Sequence, residues 1–126
     1  MSFKRRKGLF ELLIKNVKII GENEITDGFV RTENGKITEV GKTAREAENE
    51  EVIDGNGKYL SPGFIDLHVH GGGGYSAMGT SEDIVKMATA HMNYGTTSIL
   101  PTTLAAPIAQ LKTALLNIKE AKRICK

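Results

Sequence analysis

The chain has 126 residues, of which 40% are apolar and 25% charged, and its formal net charge is +2. This length accommodates one domain-sized core and excludes two complete enzyme domains, while the composition excludes a disordered chain. The small net charge calls for no nucleic-acid partner, and a single cysteine, Cys125, precludes an internal disulfide, so a reduced, cytoplasmic setting is expected.

The chain opens with a basic cluster, Lys4, Arg5, Arg6 and Lys7, ahead of Gly8, Leu9 and Phe10. Glu11 interrupts the apolar stretch and no small-residue cleavage site follows, so the cluster reads as a solvated terminus rather than a signal peptide. Apolar runs such as Leu12-Leu13-Ile14 fall far short of the ~20 residues needed to cross a bilayer. No membrane partner is expected.

From Leu12 to Leu60 the pattern is one of short strands separated by turn signals. Leu12 to Ile20 is rich in Leu, Ile and Val; Asp27-Gly28 introduces Phe29 to Glu33; Asn34-Gly35 then leads into Lys36 to Val40. Asn-Gly is a strong hairpin signal because both residues tolerate the positive φ of a type I′ turn. The acidic stretch from Ala44 to Glu51 reads as an exposed loop or one helical turn. Val52-Ile53 and Tyr59-Leu60, flanking Asp54-Gly55 and Asn56-Gly57, give two more short strands.

After Ser61-Pro62-Gly63 the order changes to strand, loop, helix, strand, helix, which is how a parallel α/β sheet is written. A boundary near residue 61 is expected. Phe64 to His70 forms a strand that runs into Gly71 to Gly74. Thr80 caps a helix with Asp83 at the capping-box position, Gly95 stops it, and Ile84, Ala88, His91 and Met92 share its face. Thr96 to Leu100 is a β-branched strand ending at Pro101. A second helix begins near Pro107, with Ile108, Leu111, Leu115, Ile118 and Cys125 at helical spacing.

The chemistry lies on the first of these strands. Side chains alternate across a strand, so Phe64, Asp66, His68 and His70 point one way and Ile65, Leu67 and Val69 the other. In a parallel sheet covered by helices an Asp and two His in succession require something to satisfy them. A divalent metal does so, since imidazoles at i and i+2 reach one ion from the end of a strand. The plain alternative is a solvated face of an antiparallel sheet. Gly72, Gly74 and Ala77 match G-x-G-x-x-A, but no Gly-Lys-Ser/Thr is present and the next strand ends in Leu100-Pro101 rather than an acidic residue, which argues against nucleotide binding. His91, beside Met92 in mid-helix, reads as a packing residue.

The stretch Ile53-Asp54-Gly55-Asn56-Gly57 through Leu60-Ser61-Pro62-Gly63-Phe64-Ile65-Asp66-Leu67-His68-Val69-His70-Gly71 resembles the approach to the first barrel strand of the amidohydrolase superfamily. Gly72-Gly73-Gly74-Tyr75 and Gly95-Thr96-Thr97-Ser98-Ile99-Leu100-Pro101-Thr102-Thr103 resemble, within it, the N-acetylglucosamine-6-phosphate deacetylase family. The resemblance covers essentially the whole chain. It implies an α/β fold class: residues 1–60 as part of a small β-sandwich, then residues 61–126 as the first two β/α units of a (β/α)8 TIM barrel. It further implies hydrolysis of the acetamide of an amino-sugar phosphate substrate, N-acetylglucosamine 6-phosphate, giving glucosamine 6-phosphate and acetate. The implied cofactor is a divalent metal ion, zinc first, with iron and manganese as the other candidates, and the implied parent is a homo-oligomer.

Under this resemblance His68 and His70 are metal ligands, matching the H-x-H that holds one metal in two-metal relatives. Some members replace this pair and work with a single ion, so its presence implies an additional metal position. Two departures stand out. Ser76 occupies a place where the family usually has Asp. The family's His-Leu-Glu-Gly-Pro stretch, its later histidines and its catalytic Asp have no counterpart. The expectation is therefore an N-terminal fragment without a catalytic residue of its own, inactive alone. The competing expectations are a dihydroorotase or hydantoinase relative, against which the Thr-Thr-Ser-Ile-Leu-Pro-Thr-Thr block argues, and a standalone noncatalytic binding module.

Overall fold

The computed structural model describes residues 11–125. The basic cluster of Lys4 to Lys7 lies outside them. The chain divides into two compact units between Pro62 and Gly63. Among the described residues no helix is long and apolar enough to cross a membrane.

The first unit is a single sheet. Its strands are β1 (Glu11–Ile20), β2 (Ile25–Glu33), β3 (Lys36–Gly41), β4 (Glu51–Asp54) and β5 (Tyr59–Leu60). They run in the order β3-β2-β1-β4, with β5 also pairing with β1. The expected hairpin at Asn34-Gly35 is present, with φ of 52° and 76° at the two residues. The two later strands, β4 and β5, pair with β1 in parallel. Leu13, Val17, Phe29 and Val30 form the buried set.

The acidic stretch is a loop, and one ion-pair cluster fastens it. Arg31 donates to Glu39, to Glu50 and to the Arg45 carbonyl, and the Glu50 carboxylate is closed off from solvent. The Arg31 guanidinium, with the Ala47 N–H, holds the Glu50 carboxyl below the usual carboxylate range.

The second unit alternates strand and helix. It contains β6 (Phe64–Val69), β7 (Gly71–Gly72), β8 (Tyr75–Ser76), α1 (Ser81–Met92), β9 (Thr96–Pro101) and α2 (Ile108–Ile124). β6 and β9 pair in parallel, as the strand-helix-strand grammar requires. The glycine run, expected as a loop, forms a short antiparallel hairpin between β7 and β8. Gly73 and Gly74 occupy its corner at φ of 60° and 84°, values that residues with a Cβ seldom adopt.

The helix faces also differ from the expected ones. In α1 the buried residues are Ile84 and Met87, while Met92 is exposed; in α2 they are Ala114 and Ala121, while Ile108 and Leu115 are exposed. The core of this unit is Val69, Ala77, Ile84, Met87 and Ala121, with Val85, Ile99 and Ile118 packed against it. The small Ala121 on α2 shares this core with the long Met87 side chain, so the packed stripe follows size complementarity rather than the largest apolar residues.

The start of α1 carries the expected capping box: Thr80 Oγ1 accepts the Asp83 N–H and the Asp83 carboxylate accepts the Thr80 N–H. Thr80→Ala should lower stability by about 1 kcal/mol. The Thr80 N–H, followed by its hydroxyl, holds the Asp83 carboxyl below its ordinary value. A depressed carboxyl stabilises above the unfolded pKa of ~3.9 and loses that contribution as pH falls through the folded pKa. Helix α1 is therefore expected to lose amide protection on acidification below about pH 4. Thr80→Ala should flatten that acid limb in hydrogen exchange; an unchanged profile would show that the box does not hold the helix.

Candidate metal-binding site

The strand β6 is not regular where it matters. Its register against β9 pairs Asp66 with Ile99 and Val69 with Pro101, so three steps on β6 oppose two on β9. The extra residue is a bulge at Leu67 and His68, which takes the His68 N–H out of the ladder. Asp66 supplies the missing partner: its Oδ1 accepts the His68 N–H at 3.0 Å. The Asp that the alternation placed on the chemical face thus stabilises the irregular backbone carrying the first histidine.

Beyond the bulge the two imidazoles converge. His68 Nε2 and His70 Nε2 are 3.0 Å apart, with ring planes inclined at 76°. His70 Nδ1 lies 2.9 Å from the carbonyl oxygen of Thr102. A carbonyl only accepts, so His70 Nδ1 carries a hydrogen and, in the neutral ring, Nε2 keeps its lone pair. His68 Nε2–H then donates to His70 Nε2. Both rings are exposed and Asp66 is half-buried.

The backbone around His70 is tied down on each side. Thr102 N–H donates to the Val69 carbonyl at 2.7 Å, and Ala77 N–H to the His70 carbonyl at 2.8 Å. Val69 itself is a core residue. Ser76 Oγ accepts the Met78 N–H at 3.1 Å, so the short hydroxyl closes the turn leading to α1. His91, read as a packing residue, has a polar role as well: its Nε2–H donates to the Gly71 carbonyl at 3.1 Å. A Cβ on Gly72 would overlap His91 Nε2, and one on Gly73 would press on Ala90. Gly72→Ala should accordingly displace the His91 ring and destabilise the protein by about 1–3 kcal/mol. A urea midpoint equal to that of the unsubstituted protein would contradict this.

The donor set fits part of a metal centre. Two imidazole nitrogens on one tetrahedral zinc ion sit roughly 3.3 Å apart, close to the spacing seen, and a ligating histidine normally donates its other N–H to a carbonyl, as His70 does. Among the described residues no group of three or more His, Cys, Asp or Glu side chains gathers to hold a metal. The two histidines therefore supply an incomplete coordination sphere. Sequence reading missed Thr102, which acts through its backbone carbonyl, and the polar role of His91.

No family model matches the chain. Over 114 residues it is 36% identical to an N-acetylglucosamine-6-phosphate deacetylase of Bacillus subtilis, covering 88% of this chain and 29% of the relative. Over 100 residues it is 39% identical to a dihydroorotase of the same organism, covering 75% of this chain and 22% of the relative. The crystal structure of N-acetylglucosamine-6-phosphate deacetylase from Pasteurella multocida matches with a TM-score of 0.75 at 29% identity, covering 90% of this chain and 31% of that one. The chain spans less than a third of the length of these relatives. Over most of its own length it is similar to the N-terminal part of N-acetylglucosamine-6-phosphate deacetylases, with other amidohydrolases as further relatives.

Proposed function

We propose that this chain is the N-terminal portion of an N-acetylglucosamine-6-phosphate deacetylase, a metal-dependent amide hydrolase. In this reading β1 to β5 are part of a β-sandwich, and β6 and β9 are the first two strands of a (β/α)8 barrel, each followed by its helix. Active sites of such barrels lie at the C-terminal ends of the strands, built from several of them. The observation that carries the proposal is the convergence of His68 and His70 at the C-terminal end of β6. Similarity to deacetylases along 88% of the chain supports the substrate class.

His68 and His70 would hold a divalent ion through Nε2, zinc being the first candidate. The chemistry such an ion supplies is Lewis-acid polarisation of the amide carbonyl. The chain's own part is to present two imidazoles from a bulged strand end, to fix one of them against Thr102, and to fold a glycine hairpin beside them. The general acid/base and the remaining ligands belong to strands beyond the two described here. Hydrolysis adds water across the acetamide C–N bond, giving acetate and the free amine of glucosamine 6-phosphate.

The second reading is a cyclic-amide hydrolase, which the 39% identity to a dihydroorotase favours. One assay separates the two. The full-length protein, supplied with zinc, should release acetate from N-acetylglucosamine 6-phosphate and leave dihydroorotate and hydantoin closed. Ring opening without acetate release would transfer the assignment to the second reading, and no turnover of either class would favour a noncatalytic module.

A further inference from the structure

A histidine ring offers a metal, or any electrophile, only the nitrogen that does not carry hydrogen, so the tautomer decides which atom is available. The neighbours of the two site histidines differ in this respect. His70 Nδ1 meets the Thr102 carbonyl at 2.9 Å. For His68 Nδ1, no partner is present among the described residues.

We infer that Thr102 is a positioning residue for His70: its carbonyl holds the ring in the Nδ1–H tautomer and keeps the Nε2 lone pair directed at His68. The inference extends the metal-site reading above, on which its functional meaning rests. One strand pairing and two hydrogen bonds make the carbonyl a fixed acceptor. Pro101, the last residue of β9, is in register with Val69; the Thr102 N–H returns to the Val69 carbonyl at 2.7 Å; and Thr102 Oγ1 donates to the Leu100 carbonyl at 3.1 Å. The chain leaving β9 is thereby wrapped against the end of β6, and the peptide that follows points its oxygen at the imidazole. His91 provides the contrast within the same unit, since its Nε2 is the donating nitrogen, toward the Gly71 carbonyl. The two rings are held in opposite tautomers by two backbone carbonyls.

The arrangement assigns distinct roles to the pair. His70 is preset before any ligand arrives, whereas His68 Nε2–H donates to it, and His68 becomes a second donor atom only by exchanging, through solvent, to the tautomer that carries its hydrogen on Nδ1. Removing the constraint on His70 spreads its ring over both tautomers, and affinity at Nε2 falls by the 10- to 100-fold typical of lost outer partners.

The test is long-range ¹H–¹⁵N NMR of the metal-free, histidine-labelled full-length protein at about pH 8, above the ~6.5 of a free imidazole. The expected spectrum shows His70 as the Nδ1–H tautomer and His91 as the Nε2–H tautomer. Thr102→Gly, which removes the hydroxyl brace and frees the peptide, should give His70 mixed-tautomer signals with His91 unchanged, and Thr102→Ser should restore the Nδ1–H form. Zinc affinity should fall roughly 10-fold or more in Thr102→Gly and recover in Thr102→Ser. A pure Nε2–H form for His70 in the unsubstituted protein, or a Thr102→Gly variant that keeps the pure Nδ1–H form, overturns the inference. Failure of zinc to move the His70 Nε2 signal while the Nδ1–H form is intact overturns the metal-site reading and leaves the role of Thr102 standing.

Discussion

Replacing His68 or His70 by Ala in the full-length protein should weaken zinc binding at this position by at least about 100-fold, more than the loss of an outer partner does. Each change removes one of only two converging donors, and a lone imidazole has no chelate partner on this strand. Acetate release should fall by roughly two to three orders of magnitude. That is the several kcal/mol of transition-state stabilisation that one Lewis-acid ion contributes, at about 1.4 kcal/mol per tenfold. Calorimetric zinc titration and steady-state kinetics on the two variants check both numbers. The double variant should be little worse than either single one, because two ligands of one ion act as a unit.

The 126-residue chain on its own should show no deacetylase activity. Among the described residues no carboxylate or third imidazole completes the sphere around His68 and His70, and Asp66 is committed to the His68 N–H. Packing points the same way. β6 and β9 form a sheet of only two strands, and Phe64, Ile65 and Leu67 on β6 are 62%, 67% and 68% exposed. Open edges and apolar faces of this kind attract other chains. Gel filtration of the isolated chain should therefore show oligomers, and acetate release should match that of a His68→Ala/His70→Ala control. Activity above that control from a monomeric peak would contradict the account.

Much of this was legible in the sequence because it was encoded locally. Asn34-Gly35 specifies its turn by backbone conformation alone, and Thr80 with Asp83 caps α1 through neighbours three residues apart. The change of grammar after Pro62 announced the strand-helix-strand order of the second unit. His68 and His70 stood out because alternation places them together.

What stayed hidden depends on partners distant in sequence. The bulge at Leu67 and His68 is a mismatch between β6 and β9, and neither strand reveals it alone; only with the bulge in view does the Asp66 side chain, expected on the face of the two histidines, become backbone support. Thr102 lies 32 residues from His70 and acts through its carbonyl, which no side-chain pattern exposes. The buried faces of α1 and α2 were misread because periodicity ranks residues by hydrophobicity, whereas the shared core holds Met87 of α1 together with the small Ala121 of α2.

The most direct measurement is a zinc-edge anomalous difference map from crystals of the full-length protein. The account predicts a metal peak bonded by Nε2 of both His68 and His70, with His70 Nδ1 still donating to the Thr102 carbonyl. Crystals that hold zinc elsewhere in the barrel but show no peak between these two histidines would contradict it.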